Sequence, residues 1–91
     1  MIERVWQVEF LPDAARDLKK LGAGAQQAIL HYLRERIATA SDPRRFGHAL
    51  TGDKEGLWRY RVGDYRIVAS IEDRRFVVLV VKVEHRREVY R

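Results

Sequence analysis

No cysteine occurs in the 91-residue chain, so neither a disulfide framework nor a thiolate zinc site can stiffen it. Only two prolines interrupt it, and six glycines are too few for a low-complexity tract. No apolar run approaches the roughly 18–20 residues that cross a bilayer. The opening residues, Met1 to Trp6, have neither the basic region nor the long apolar stretch of a signal peptide. The expectation is one cytoplasmic domain over residues 1–91, made in a reducing compartment and with no membrane partner. Lysine is also scarce: four stand against fourteen arginines in a chain of net charge +5. Arginine presents a planar fork of donors that grips phosphate bidentately, whereas lysine is a hydrated point charge. Charge alone still fits an ordinary solvated surface, so placement has to decide.

What is present is a hydrophobic fraction of 46%, enough for one compact core. Residues 6–10 alternate, with Trp6, Val8 and Phe10 against Gln7 and Glu9, as in a half-buried strand. Pro12 stops that strand. From there to Leu21 the spacing of Ala14, Ala15, Leu18 and Leu21 predicts a short helix with Asp13 and Asp17 toward its amino end. Gly22-Ala23-Gly24 breaks it, and Ile29, Leu33 and Ile37 make one stripe of a second, longer helix over 25–40 that runs antiparallel to the first. Ser41-Asp42-Pro43 ends that helix. Residues 44–56 lack a sustained period and read as a connector with a helical turn around 45–50.

The rest is strand material. Residues 57–62 and 65–71 alternate on either side of Gly63-Asp64, a two-residue hairpin signal with glycine first. Residues 76–81 are apolar on both faces and read as an interior strand with helix over one side. The fold class expected is α+β in the order β-α-α-β-β-β. With Gly63-Asp64 as the turn, Val62 pairs with Tyr65 and Arg61 with Arg66, and Arg59 shares their face. Trp58, Tyr60, Val62, Tyr65, Ile67 and Ala69 take the other face, which must be the core side. Like charges directly opposite cost on the order of 0.2–1 kcal/mol, and an anion is the natural reason to accept that cost. Three guanidiniums at sheet spacing suit a polynucleotide phosphate and the extra charge of a pentavalent phosphorus, without a metal. The bland alternative is that Asp53, Glu55 or Glu72 neutralises them in surface ion pairs.

The closing stretch 84–91 holds His85, Arg86, Arg87, Tyr90 and Arg91. An imidazole exchanges protons near neutrality without large tuning, so His85 is a candidate acid or base. Tyr90 could stack on a nucleobase or donate a proton. His31 sits beside apolar residues on a helix, and His48 lies in the connector with no ligand-spaced partner. No metal site, Gly-rich phosphate loop or Ser-His-Asp arrangement is readable, and no cofactor is expected.

Asp42-Pro43-Arg44, Leu50-Thr51-Gly52, the block from Gly56 to Val68 containing Arg59-Tyr60-Arg61-Val62-Gly63-Asp64-Tyr65-Arg66, and the ending His85-Arg86-Arg87-Glu88-Val89-Tyr90 together resemble the RelE/ParE toxin superfamily, nearest its RelE branch. The resemblance covers essentially the whole chain. It implies a small twisted, mostly antiparallel sheet with a two-helix hairpin on one face. It also implies a type II toxin that enters the ribosome, cuts messenger RNA through the ribose 2′-OH, and is neutralised by a RelB-like antitoxin in a hetero-oligomer. By position, the resemblance matches Arg59 and Arg61 to basic residues that contact the substrate or assist proton transfer and Arg66 to the arginine that stabilises the transition state, while Arg86 and Tyr90 match the basic and aromatic residues near the end. Arg44, Arg45, Lys54, Arg87 and Arg91 are expected along the RNA. Two departures stand out. Glu84 occupies a position where the pattern commonly has glycine, and arginines replace lysines that could serve as a base, which leaves His85 and then Tyr90 as candidates for that role. The alternatives are a ParE-like toxin that binds DNA gyrase without hydrolysis, and a non-catalytic basic RNA-binding module.

Overall fold

The computed structural model describes residues 4–85. Strand β1 (Gln7–Phe10) leads through Leu11 into helix α1 (Pro12–Lys19), with proline at the start of the helix and Asp13 in its first turn. Proline lacks the N–H that would be orphaned there, and its φ is already helical, so strand ends and helix begins at this point. Helix α2 (Ala23–Tyr32) follows. Regular α-helix does not continue to residue 40 as expected, because Leu33–Ile37 form a π-helical turn in which the Ala38 N–H donates to the Leu33 carbonyl at 2.8 Å. The chain then leaves the helix, and the Thr39 carbonyl accepts the Trp6 N–H at 2.9 Å, tying the helix end to the approach of β1.

The connector is more ordered than its sequence suggests. A 3₁₀ turn at Pro43–Phe46, capped by the Asp42 carboxylate accepting from the Arg44 N–H at 3.0 Å, comes earlier than the turn expected over 45–50. It delivers the chain to a two-residue strand, β2 (His48–Ala49), that alternation could not reveal. Strands β3 (Trp58–Val62) and β4 (Tyr65–Glu72) form the expected hairpin, and Gly63 supplies the positive φ of +58° that the tight turn requires. Strand β5 (Val77–His85) runs past the expected end at residue 81.

The sheet has the order β1-β5-β4-β3-β2, with β1 parallel to β5 and the other pairs antiparallel. The fold is thus α+β, with an interior apolar strand as read from residues 76–81. Ala14 of α1, Ile29 of α2, and Leu33 and Ile37 of the π turn form one buried cluster with Tyr60, Ile67, Val78 and Val80 of the sheet. Each fully buried aliphatic side chain contributes about 1.5–3 kcal/mol to holding helices on sheet. Tyr60 extends the core into the connector. Its hydroxyl donates to the Pro43 carbonyl at 2.8 Å, and Gly47 passes so close that an added Cβ would stand 3.0 Å from the Tyr60 ring. No helix among the described residues is long and apolar enough to cross a membrane.

One irregularity governs which side chains meet. Val68 pairs with Lys82 and Ala69 with Val80, so Val81 is an extra residue bulged out of the β4–β5 ladder. Val78 and Val80 face the helices before the bulge, and Val83 is the next buried residue after it. Lys82 and Glu84 therefore point to the face opposite the helices.

Candidate nucleic-acid interface

Cα partners on neighbouring strands share a face, so the register defines the surface away from the helices. One row reads Glu84, Arg66, Arg61 across β5, β4 and β3. The next reads Lys82, Val68, Arg59, His48 and reaches β2. Strands lie about 4.7–4.9 Å apart, so the two rows form a compact cationic field over the buried side chain of Val68. Arg61 and Arg66 stand directly opposite, as the turn position implied.

The bland alternative can be tested on two of the three. Among the described residues, Arg59 and Arg61 make no ion pair with Asp53, Glu55, Glu72 or any other carboxylate. Glu72 instead accepts from the Ser70 hydroxyl at 2.9 Å. Glu84 is the acidic member of the field, with its side chain only 12% exposed and Oε1 3.4 Å from Lys82 Nζ. A carboxylate removed from water to that degree needs cationic neighbours, and Lys82 beside it and Arg66 opposite supply them.

Other residues singled out from the sequence lie elsewhere. His85 pairs with Tyr65 on the helix-bearing face, its ring edge-on to the tyrosine at 5.1 Å, so the bulge separates it from the arginines. Arg44 is committed to a structural clamp: its guanidinium donates to both oxygens of Asp73 at 2.7 and 3.1 Å and to Asp42 at 3.3 Å, and lies 5.7 Å from the Trp58 ring centre. Its hydrogen bond holds the Asp73 carboxyl below the usual carboxylate range and raises the Arg44 guanidinium. Arg45 stacks on Phe46 at 5.3 Å from the ring centre, and both line a separate concavity of about 400 Å³ with Arg36, Thr39 and Ser41. Lys54 is exposed in a 3₁₀ turn (Gly52–Lys54) between β2 and β3, at the end of the hairpin away from Gly63. Arg86, Arg87, Tyr90 and Arg91 lie outside the described residues.

His48 was missed. It is exposed, pairs with Arg59 and stands at the β2 end of the second row. A two-residue strand has no alternation to read, and only the length between Pro43 and the Arg59 strand hinted that the connector could double back. Burial pushes the Tyr60 hydroxyl well above the usual tyrosine value, as befits an anchor that stays protonated. The geometry that results, among the described residues, is a sheet face away from the helices on which arginines of adjacent strands hold neighbouring positions, with an imidazole at one end and a carboxylate at the other. Such a surface can clamp a phosphodiester and compensate charge that develops on it.

The family described as the ParE toxin of type II toxin–antitoxin systems matches residues 8–90. The chain belongs to that family, within the RelE/ParE superfamily of toxins. It is 30% identical over 86 residues to Toxin RelG of Mycobacterium tuberculosis, spanning 94% of this chain and 97% of that one. To Toxin RelE of the same organism it is 33% identical over 86 residues, spanning 94% and 87%. Among solved structures, the toxin–antitoxin complex RelBE2 from Mycobacterium tuberculosis superposes with a TM-score of 0.82 at 29% identity, over 90% of this chain and 92% of that chain.

Proposed function

We propose that this toxin is a ribosome-dependent endoribonuclease that cleaves messenger RNA without a metal and so arrests translation in the cytoplasm. The observation that carries the reading is the juxtaposition of Arg61 with Arg66, beside Arg59, on the sheet face away from the helices. Folding gives no reason to oppose two guanidiniums, whereas a phosphodiester gives one. In this reading the ribose 2′-oxygen attacks the adjacent phosphorus and the bond to the 5′-oxygen breaks, leaving a cyclic phosphate and a free 5′-OH. Arg59 and Arg61 hold the phosphate and Arg66 stabilises the charge of the transition state. His48, at the β2 end of the field, protonates the departing 5′-oxygen. Arg86 and Tyr90 complete the substrate contacts from the carboxy-terminal stretch.

The partner in this reading is a RelB-like antitoxin that covers the arginine face, its acidic groups matched to the +5 charge of the toxin. The neighbouring RelBE2 structure is itself a toxin–antitoxin complex. The test is a defined message on translating ribosomes. New 5′-OH ends within the decoding site are expected on addition of the protein, and Arg66→Ala and Tyr90→Ala should each abolish them. Growth arrest with double-strand DNA breaks and intact messages would replace this reading with a gyrase-binding one.

A further inference from the structure

A 2′-hydroxyl becomes a competent nucleophile only if something removes its proton, and the arginine field as described has an obvious shortage of acceptors. Guanidinium groups stay protonated, so Arg59, Arg61 and Arg66 can hold and stabilise but cannot take a proton. His85 is turned to the other face by the Val81 bulge. Glu9 and Glu72 belong to the far rows of the sheet, beside Leu79 and Val77. Among the described residues, one carboxylate and one imidazole remain next to the three arginines, and they stand at opposite ends of the field. Glu84 is the cross-strand partner of Arg66, and His48 is the cross-strand partner of Arg59.

We propose that Glu84 is the general base of this toxin, taking the 2′-OH proton of the nucleotide whose phosphate is clamped by Arg61 and Arg66. This assignment rests on the ribonuclease reading and supplies the proton acceptor that the arginines leave missing. Three observations carry it. Glu84 shares the face and row of Arg66 and Arg61, so a phosphate bridging those guanidiniums lies one to two strand spacings, roughly 5–10 Å, from the Cα of Glu84. Its side chain is 12% exposed, so the carboxylate lies within the field and not out in solvent. Its neighbours are cationic: Lys82 from its own strand at 3.4 Å, Arg66 from β4 and Arg61 beyond it, while Asp17 of α1 is occupied at the outer edge of β5, accepting the Val83 N–H at 3.2 Å.

The balance of the step is complete. The 2′-oxygen forms its bond to phosphorus as its proton passes to Glu84. The bond from phosphorus to the 5′-oxygen breaks as His48 gives that oxygen a proton, and exchange with water resets both residues. Base and acid at opposite ends of the clamp suit a displacement in which attacking and leaving oxygens lie on opposite sides of the phosphorus.

The competing role for Glu84 is that of a counter-ion which merely offsets crowded positive charge, and the two roles predict opposite signs. As the base, Glu84→Gln cleaves ribosome-bound message about a hundred-fold or more slowly, with unchanged or tighter ribosome binding. Glu84→Asp retains part of the rate. The fall in wild-type rate on the acid side of the pH profile disappears in Glu84→Gln. A message with a sulfur in place of the scissile 5′-oxygen, whose departure needs no proton, restores cleavage to His48→Ala but not to Glu84→Gln. Circular dichroism and a melting curve confirm that each variant folds. A Glu84→Gln protein that cuts as fast as wild type or faster overturns the assignment and makes Glu84 a counter-ion. Absence of cutting by the wild-type protein defeats the ribonuclease reading and this assignment with it.

Discussion

The two faces of one sheet obey different rules in this protein, although their residues alternate along the same strands. Ile67 is fully buried against the helices, and its neighbour Arg66 faces the opposite way toward Arg61. The helix-bearing face is held by close packing, in which every side chain supports its neighbours. The other face collects like charges that oppose one another and is tolerable only because the first face supplies stability. Apolar packing and surface positive charge thus fall on alternate residues of β3 and β4.

That division can be broken from either side. The largest effect expected on the packed side is from Ile67→Ala, which should lower stability by about 2–5 kcal/mol in denaturant unfolding. On the open side, Arg66→Ala should lower cleavage of ribosome-bound message by about 10²–10³-fold while melting remains cooperative. Tyr60→Phe should cost about 1–3 kcal/mol, because the buried Pro43 carbonyl loses the hydroxyl that satisfies it at 2.8 Å. Arg61→Gln sharpens the comparison by its sign: activity should fall, while stability rises by about 0.2–1 kcal/mol as the cross-strand repulsion is relieved.

The smallest effect belongs to the Arg44–Asp73 clamp, which is exposed and screened. Asp73→Asn should lower the melting temperature slightly at neutral pH and hardly at all in acid. The Asp73 carboxyl titrates below its ordinary value when folded, so its contribution is present above the ordinary carboxylate range and is lost as the pH falls through the folded value. A melting series from neutral to acid pH, comparing wild type with Asp73→Asn, checks this.

Much of the arrangement was legible in the sequence where two signals agreed. The hairpin at Gly63-Asp64 combined a turn residue with alternation on both sides, and its register placed Arg61 against Arg66. The β-α-α-β-β-β order followed from proline and glycine breaks between periodic segments. Features set by longer-range geometry were hidden. The strand at His48 exists because Tyr60 grips Pro43 and admits Gly47 beside its ring, contacts that no local period records. The face of His85 depends on the bulge at Val81: counting in twos from Val78 and Val80 would put Lys82 and Glu84 in the core and His85 among the arginines, and one inserted residue reverses all three. Arg44 also pairs with Asp73, a carboxylate far along the chain, and no local pattern in the sequence records that contact.

The parallel pairing of β1 with β5 sets a condition on how the molecule comes into being. Gln7 is seated beside Val77, and α1 packs on β5, so β1 and α1 find their places only once β5, far along the chain, has been made. Local helices and the β3–β4 ribbon can form early, but long-range pairings of this kind close late. A growing chain, extended at roughly 5–20 residues per second, therefore carries β1 and α1 without their sheet partner for a time on the order of seconds. The toxin's sheet is thus completed in one late step, when the strand that joins β1 to the β3–β4 ribbon falls into place.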